Sequence, residues 1–499
     1  MIFSSLQYLL FLPVVVVAYW RTRAGARLWL LVVASYIFYM SWLPVYGVLL
    51  ALLTAINYAI ARLLAHARGR SRLACRALFL SGLTVNLGCL CYYKYTGFIL
   101  ENLLHVSQAT QRLLSACGLP GPAGLTPAWQ SPALTVLLPL GISFFVFEFV
   151  HYLTDVYRGD KPIRCLPEFA AFAAFFPSQI AGPIKRYQDF IVKLRSPQPL
   201  SIGIFNEAST LIIAGLFKKV AIADPIGSIV QVGFASSGTL ATADALIISV
   251  GFVIQVYCDF SGYTDMGRGS ALLLGIRLPE NFALPYLAKD LADFWRRWHI
   301  TLGSWLRDYL YVPLGGSRQG RFLTWRNLFV TMVACGLWHG AAWHYVIFGA
   351  MHGFGLIVNR EWQRLLDSSS LLTRLLAGPL GHAAGVLITM IFVTVSFVIF
   401  RAPDMTQAAN LLSGLYSFTA GSQLWLSVLK TGLLQILAVY ITFWLATELM
   451  VRKPFLPAAL WRQGSGFTAP LRAASWTAAL LLILAARPAG PVPFVYFQF

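Results

Sequence analysis

The chain has 499 residues, of which 58% are hydrophobic and only 11% are charged, and its formal net charge is +19. Soluble domains carry roughly 25% charged residues, so the composition excludes an ordinary soluble protein and predicts an all-α integral membrane protein. The positive-inside bias of membrane proteins accounts for the net charge, and no soluble basic domain is left to bind nucleic acid. We therefore expect residues 1–499 to form a single polytopic membrane domain, with its functional core at about 134–360.

Apolar runs of near twenty residues, long enough to cross a bilayer, recur along the whole chain and predict about ten to twelve crossings. The last third of the chain continues the pattern, and the long run at 326–359 is expected to fold as a hairpin. The predicted runs are 3–20, 28–43, 45–64, 77–99, 134–156, 204–233, 244–260, 326–359, 382–400, 425–450 and 471–487.

Basic residues predict the orientation of these helices. Three arginines lie between the first two runs and five follow the third, whereas residues 40–44 carry no charge. The positive-inside rule then places the N-terminus outside, the first and third loops in the cytoplasm and the loop at 117–132 outside. With Arg452 and Lys453 also inside, the C-terminus lies outside. The expected location is the inner (plasma) membrane of a bacterial cell.

Residues 167–183 form a short apolar segment that Pro177, Gly182 and Pro183 interrupt. A single crossing would leave one of its two basic flanks outside, so a re-entrant segment that returns to the cytoplasmic side fits better. Irregular backbone at membrane depth is tolerated where protein or a water-filled cavity covers it, which predicts a funnel here. The flanking basic residues are Lys161 and Arg164 on one side, and Lys185, Arg186, Lys193 and Arg195 on the other.

Residues 287–314 have the pattern of an amphipathic, interfacial helix pair, which Pro313 and the following glycines end. Aromatic and leucine side chains recur at helical spacing on one face, and the charged residues project elsewhere. The expected apolar stripe is Phe294, Trp298, Leu302, Trp305 and Tyr309, and the charged residues are Arg296, Arg297, Arg307 and Asp308.

Three of the eight histidines, His339, His344 and His352, lie in one stretch. Their spacings of five and eight lack the i, i+4 pair of a zinc helix, so no metal site is predicted. A neutral histidine acting as general base, taking the proton of a hydroxyl as it attacks a thioester, is the simplest chemistry. His151, near Glu148 and Asp155, is expected to complete a buried, mutually satisfied polar cluster.

Two motifs in this region, Phe294–Gly316 and Gly336–Gly340, strongly resemble the membrane-bound O-acyltransferase (MBOAT) family. Length and termini look most like the bacterial branch that includes alginate O-acetylase and the acetylases of cellulose and peptidoglycan. Supporting matches cover nearly the whole chain and comprise residues 1–5, 139–144, 176–183, 259–266, 279–282 and 494–499.

The resemblance implies the MBOAT fold, a ring of tilted helices with re-entrant and interfacial segments around a thinned centre with a central funnel. It maps the nearly invariant family histidine onto His339 and a second family histidine onto His299. It also implies cytosolic acetyl-CoA as the acyl-donor substrate, with no bound cofactor. An outer-face acetyl carrier or transferase protein would then modify an exported polysaccharide. Glu148 stands where the family pattern has glutamine.

Candidate donor-binding residues surround these histidines, because coenzyme A phosphates need cations and its thioester needs a dry site. Membrane burial would also favour the neutral form of His339, which a base requires. The candidates are Lys185, Arg186, Arg296, Arg297, Trp298, Trp305, Asp308 and Trp338.

Two other functions remain open at this point. One is D-alanyl transfer from a carrier protein for teichoic acid D-alanylation, by a more distant branch of the same family. The other is a non-enzymatic transporter or scaffold in which histidine and arginine line a pathway. A transporter predicts inverted repeats with paired broken helices, and the sequence has none.

Overall fold

The structure is a computed structural model that describes residues 1–117, 137–235, 240–422, 424–425, 428, 437, 468–486 and 494–495. The described residues fold almost entirely as helices, and no β-strand occurs among them. The predicted run at 425–450, most of the loop at 117–132, and Arg452, Lys453 and Phe499 lie outside the described residues.

Helices are numbered here in chain order, and within the described ranges three short π-helical stretches interrupt them. The π-helical stretches are Cys91–Tyr95, Phe217–Ala223 and Arg307–Tyr311. The helices are α1 (Leu6–Arg21), α2 (Ala24–Met40), α3 (Pro44–Ala67), α4 (Arg72–Leu90), α5 (Thr96–Ala116), α6 (Ile142–Arg158), α7 (Leu166–Ala174), α8 (Tyr187–Arg195), α9 (Ile202–Leu216), α10 (Asp224–Phe234), α11 (Thr242–Leu273), α12 (Leu291–Arg297), α13 (Ile300–Leu306), α14 (Arg321–His339), α15 (Trp343–Ser368), α16 (Ser370–Leu376), α17 (Pro379–Arg401), α18 (Met405–Gly414) and α19 (Thr468–Ala486).

Most of the predicted runs coincide with helices, and the all-α membrane architecture is confirmed. The hairpin expected at 326–359 is present as α14 and α15. The run at 204–233 is divided by a π-helical stretch into α9 and α10. Within the described residues, four helical stretches are long and apolar enough to cross a membrane, fewer than the predicted crossings. Part of the difference arises because α1, α2 and α6 have only 16 or 17 residues, and most of the run at 425–450 lies outside the described residues.

The outer helices carry an apolar face on each side. In α1, Leu6 is 70% and Val14 is 68% exposed, while Tyr8 and Leu12 are buried against the rest of the protein. A soluble monomer rarely exposes such regular apolar faces, whereas lipid tails require them. The exposed faces of α1 to α4 are therefore lipid-facing.

Hydrogen bonds assign the loops to two sides of the molecule. On one side, Arg68 Nη1 donates to Gly159 O over 2.6 Å, and Trp20 Nε1 donates to Leu273 O over 2.9 Å. This side contains the arginine-rich loops that the positive-inside rule assigns to the cytoplasm. On the opposite side, the amino group of Met1 lies 2.6 Å from Ser41 Oγ, in the α2–α3 turn. We call these the basic side and the opposite side.

The segment 167–183 leaves the basic side and returns to it. Before it, Asp160 accepts a hydrogen bond from Gln188 Nε2 over 2.8 Å, and Arg195 after it pairs with Glu168 over 2.7 Å. Between these contacts the chain is α7 followed by an irregular, buried stretch. Side chains from other segments form hydrogen bonds with its backbone. Phe176 N, for example, donates to Ser35 Oγ over 3.2 Å. The two ends of the segment thus lie together, as a re-entrant segment requires, and protein covers the irregular backbone between them.

Close helix packing holds the centre together, and small residues allow it. A Cβ on Gly336 of α14 would lie 2.1 Å from Tyr345 O of α15. A Cβ on Gly215 of α9 would lie 2.5 Å from Gly262 O of α11. Small residues let membrane helices approach at backbone contact, which fixes α14 and its last residue against α15.

Candidate functional site

A cavity of about 180 Å³ lies where α6 begins and α14 ends. Trp42 of the α2–α3 turn contributes to its wall, so the cavity belongs to the opposite side from the basic loops. Ile180 also lines it, which brings the tip of the re-entrant segment to the same place. Its polar lining includes Lys94, Ser143, Trp338 and His339. The broken segment therefore lines a cavity at its tip, while the predicted funnel stays a prediction.

His339 is the last residue of α14 and is only 6% exposed. Its Nδ1 lies 2.7 Å from the carbonyl oxygen of Cys335. Because a carbonyl oxygen only accepts, Nδ1 must carry the hydrogen, and the neutral ring then keeps its lone pair on Nε2. The rings of Trp338 and Phe400 lie 4.8 and 5.3 Å away and fix the imidazole plane. This arrangement, at the wall of the cavity, suits the general base that the sequence predicts at His339.

Lys94 and Tyr95 support the end of α14, and the sequence interpretation missed both. Lys94 Nζ donates to the carbonyl oxygens of Trp338 and His339 over 2.7 and 2.8 Å, and Tyr95 Oη donates to Leu337 O over 2.7 Å. The last carbonyls of a helix have no hydrogen-bond donor within the helix. A cation at this end also interacts favourably with the negative end of the helix dipole. A lone lysine within the predicted run 77–99 was the available signal.

His299 lies between α12 and α13 in a left-handed backbone conformation, with φ of 43°. That conformation costs a non-glycine residue of order 1–3 kcal/mol and is concentrated at functional sites. Neighbouring backbone is held by Asn281, whose carbonyl accepts from Ile300 N over 2.9 Å. The imidazole is fully buried, 4.8 Å from the Phe260 ring and 5.9 Å from Trp338. Trp338 thus contacts both histidines.

The single apolar stripe predicted over 294–309 is wrong, because the helix breaks at Trp298–His299. The two short helices, α12 and α13, confirm the predicted pair. Trp298 stacks with Phe294 at 5.6 Å and faces Phe397 at 5.3 Å, away from the cavity lining. Trp295 of α12 donates its indole N–H to His352 over 3.2 Å.

An aromatic column connects the cavity with the basic side. Trp338 stacks on Phe147 with centroids 5.4 Å apart, and Phe147 stacks on Trp305 at 3.8 Å. Trp305 in turn lies 5.4 Å from Tyr309. The guanidinium of Arg186 lies 4.6 Å from the centre of the Tyr309 ring. Four ring side chains therefore fill the interval between His339 and a basic surface.

The charged candidates lie in three separate ion pairs. Lys185 pairs with Glu148 and both are buried, so this ammonium already has its counter-ion. Arg186 pairs with Asp308 at the basic side over 2.8 Å. Arg296 is largely exposed and lies 3.5 Å from Asp293. The candidate site is therefore divided, and their role in donor binding remains a prediction.

Asp293 also pairs with Arg297 over 3.0 Å. Burial raises the pKa of this carboxyl, but Arg297 and neighbouring donors outweigh that effect and hold the pKa below its usual value. The carboxylate therefore stays charged near neutral pH and forms ion pairs with both arginine side chains, one turn later on the same helix.

The mutually satisfied cluster predicted for His151, Glu148 and Asp155 is wrong. Glu148 pairs with Lys185, whereas Asp155 accepts from Tyr309 Oη over 2.7 Å. Their partners lie on other segments, which helix spacing within α6 cannot reveal. The ring of His151 lies 5.7 Å from that of Tyr309, and the residue is fully buried.

His344 and His352, which follow His339 in the chain, contact other side chains and do not line the cavity. His352 accepts the indole N–H of Trp295 on Nδ1, so its Nε2 carries the hydrogen and meets Ser396 Oγ at 3.0 Å. His344 contacts Tyr345, with ring centroids 4.0 Å apart. In the described ranges, no group of three or more histidine, cysteine or acidic side chains could hold a metal ion.

The terminal motif reaches the core through Asp259. This carboxylate pairs with Lys219 over 2.8 Å and accepts from Val495 N over 2.6 Å. Phe494 lies 4.6 Å from Tyr263 in a stacked arrangement. The terminal motif thus packs beside Phe260, which in turn packs on His299.

Comparisons with known proteins agree with this geometry. Residues 72–400 match the MBOAT, membrane-bound O-acyltransferase family. The chain is 41% identical to the probable alginate O-acetylase of Pseudomonas putida, over 84% of this chain and 81% of that protein.

Two more distant relatives have related activities. The peptidoglycan O-acetyltransferase of Helicobacter pylori is 33% identical, over 81% of this chain and 77% of that protein. The teichoic acid D-alanyltransferase of Streptococcus thermophilus is 29% identical, over 52% of this chain and 68% of that protein. The chain belongs to the membrane-bound O-acyltransferase family and is a multi-pass membrane O-acyltransferase.

Proposed function

We propose that this protein transfers acetyl groups from cytosolic acetyl-CoA across the membrane, for O-acetylation of an exported polysaccharide. The observation that carries the proposal is the geometry of His339. Its Nδ1 is engaged by Cys335 O at the wall of a cavity, so the tautomer required of a general base is set before any substrate arrives. A base of this kind takes the proton from the hydroxyl that attacks the thioester.

The two sides of the molecule differ in a way that supports separate approaches for the donor and the acceptor. The cavity lies on the side of Trp42 and the amino terminus, which the positive-inside rule assigns to the outside. The basic side carries Arg186, where phosphates of coenzyme A would be attracted. Donor and acceptor therefore approach from opposite sides, and coenzyme A itself never crosses the membrane.

His299 serves as a positioning residue in this proposal. Its left-handed backbone is retained at an energetic cost, and its ring is locked against Phe260 beside Trp338. A group fixed in this way can orient the acyl group or the acceptor next to His339. It supplies alignment, while the base transfers the proton.

The acceptor chemistry is inferred from the relatives. Two of them are named for O-acetylation, of alginate and of peptidoglycan, and cover more of this chain than the D-alanyltransferase does. We infer an alginate-like polysaccharide, cellulose or peptidoglycan as the final acceptor. An outer-face acetyl carrier or transferase protein acts as the intermediate partner. This protein itself lies in the inner membrane of a bacterium, with both of its termini outside.

A pair of histidine variants tests the proposal. His339→Ala should abolish acetylation of the exported polymer, because loss of a general base costs on the order of 10²–10⁴ in rate. Protein abundance and membrane insertion should remain near those of the wild type. His105→Ala, at a histidine with a 69% exposed side chain, is the control and should acetylate normally. Acetylation above half of the wild-type level in His339→Ala would overturn the assignment.

A further inference from the structure

Trp338 directly precedes His339 and is itself buried, with a relative exposure of 5%. It lines the cavity with His339. Its Nε1 is buried, and no acceptor within the described part of the chain lies at hydrogen-bond distance. The indoles of Trp20 and Trp305, by contrast, donate to backbone carbonyl oxygens over 2.9 and 3.1 Å. Buried donors without acceptors are rare, so this N–H calls for a partner that arrives with the substrate.

The indole cannot easily turn to another acceptor. Phe147 stacks on it at 5.4 Å, and Phe144 packs edge-on at 5.5 Å. On the other side it contacts the rings of His339 and His299 at 4.8 and 5.9 Å. A fixed donor in a dry site needs no reorganisation when charge develops nearby, which is the property of an oxyanion-stabilising group.

We propose that the indole N–H of Trp338 donates to the oxyanion formed during acyl transfer, an inference that rests on the proposed function. The acceptor hydroxyl oxygen bonds to the thioester carbonyl carbon, and its proton moves to Nε2 of His339. The carbonyl electron pair moves onto oxygen, where the Trp338 N–H stabilises it. Collapse reforms the carbonyl and breaks the carbon–sulfur bond. The thiolate of coenzyme A then leaves and takes the proton from His339.

Trp338→Phe tests this role because it keeps the ring stacking and removes only the donor. We expect kcat for acetyl transfer by purified protein to fall by about 10²–10³, as for loss of one oxyanion donor. The Kd for acetyl-CoA should stay within about threefold, since ground-state binding is not the function of the N–H. The melting temperature should not fall, because no hydrogen bond within the described protein is lost.

Trp20→Phe is the matched control. Trp20 lies near the end of α1 and donates its indole N–H to Leu273 O, and the substitution removes this donor. It should lower the melting temperature slightly and leave kcat unchanged. If the unmodified protein turns over acetyl-CoA and the Trp338→Phe variant has the same kcat, the oxyanion role is overturned while the proposed function stands. A loss of kcat matched by a loss of melting temperature would also overturn it, as a packing effect. If the wild type itself shows no turnover of acetyl-CoA, the proposed function fails and this inference fails with it.

Discussion

Replacing Glu148 with glutamine, the residue that the family pattern has there, should destabilise this protein. Lys185 Nζ lies 2.7 and 2.8 Å from the two carboxylate oxygens of Glu148, and both residues are buried. The rings of Phe172 and Phe190 surround the ammonium at 5.0 and 5.5 Å. Glu148→Gln removes the negative charge and leaves the positive charge among aromatic rings.

The size of the effect follows from this burial. Removing one partner of a buried ion pair costs about 3–5 kcal/mol, because the remaining charge is uncompensated. Lys185→Met alone should cost a similar amount for the same reason. The double variant Glu148→Gln/Lys185→Met leaves no buried charge, so it should be much more stable than either single variant. The coupling between the two positions should therefore reach several kcal/mol.

Thermal unfolding of purified protein in detergent, followed by tryptophan fluorescence, measures this cycle. Asp189→Asn is the control, since Asp189 pairs with Lys193 on α8 and its side chain is 60% exposed. Exposed i, i+4 pairs contribute only about 0.3–0.5 kcal/mol, so the control should melt close to the wild type. A Glu148→Gln protein that melts with the wild type would refute the reasoning. So would a double variant that melts as low as the single variants.

The remaining predictions concern activity and topology. His299→Ala should lower acetyl transfer strongly without abolishing it, with acetyl-CoA binding intact, because alignment contributes less than the base; wild-type kinetics would limit this residue to packing. Lys94→Met should lower both Tm and kcat, because two carbonyls at the end of α14 lose their donor, and Lys94→Arg should restore part of each; an unchanged kcat would contradict it. Cysteine labelling at Lys161 and Lys193 should report the cytoplasm for both, and an external Lys193 would remove the re-entrant segment. A reporter at Phe499 should read outside, whereas a cytoplasmic signal would refute the odd number of crossings.

Features that depend on neighbours along the chain were predicted correctly. The proline and glycine interruptions of 167–183, with basic residues on both flanks, were enough to predict a segment that returns to its starting side. Likewise, the length of the run at 326–359 indicated two helices. In both cases the physical constraint, bilayer thickness or backbone satisfaction, acts on a continuous stretch of chain.

Contacts between distant segments could not be predicted in this way. Glu148 and Lys185 are 37 positions apart, and Lys94 lies 245 positions from the carbonyl of His339 that it binds. Helix periodicity places Glu148 and Asp155 on one face, but it cannot indicate which other segment supplies their partners. The helix pair was predicted, but the position of its break at His299 was missed, because the side-chain pattern around it continues as on an unbroken helix.

The lengths of the central helices explain how an acetyl group could cross without its carrier. The 17 residues of α6 span only about 26 Å at 1.5 Å per residue, less than the roughly 30 Å of a bilayer's hydrocarbon core. The 32 residues of α11, by the same rise, span about 48 Å. α6, which carries Phe147 of the aromatic column, is thus shorter than the hydrocarbon core of a bilayer. The aromatic column from Tyr309 to Trp338 occupies the interval between the basic side and His339. In the proposed reaction, a thioester would enter beside that column, and the surrounding rings would protect it from hydrolysis by excluding water.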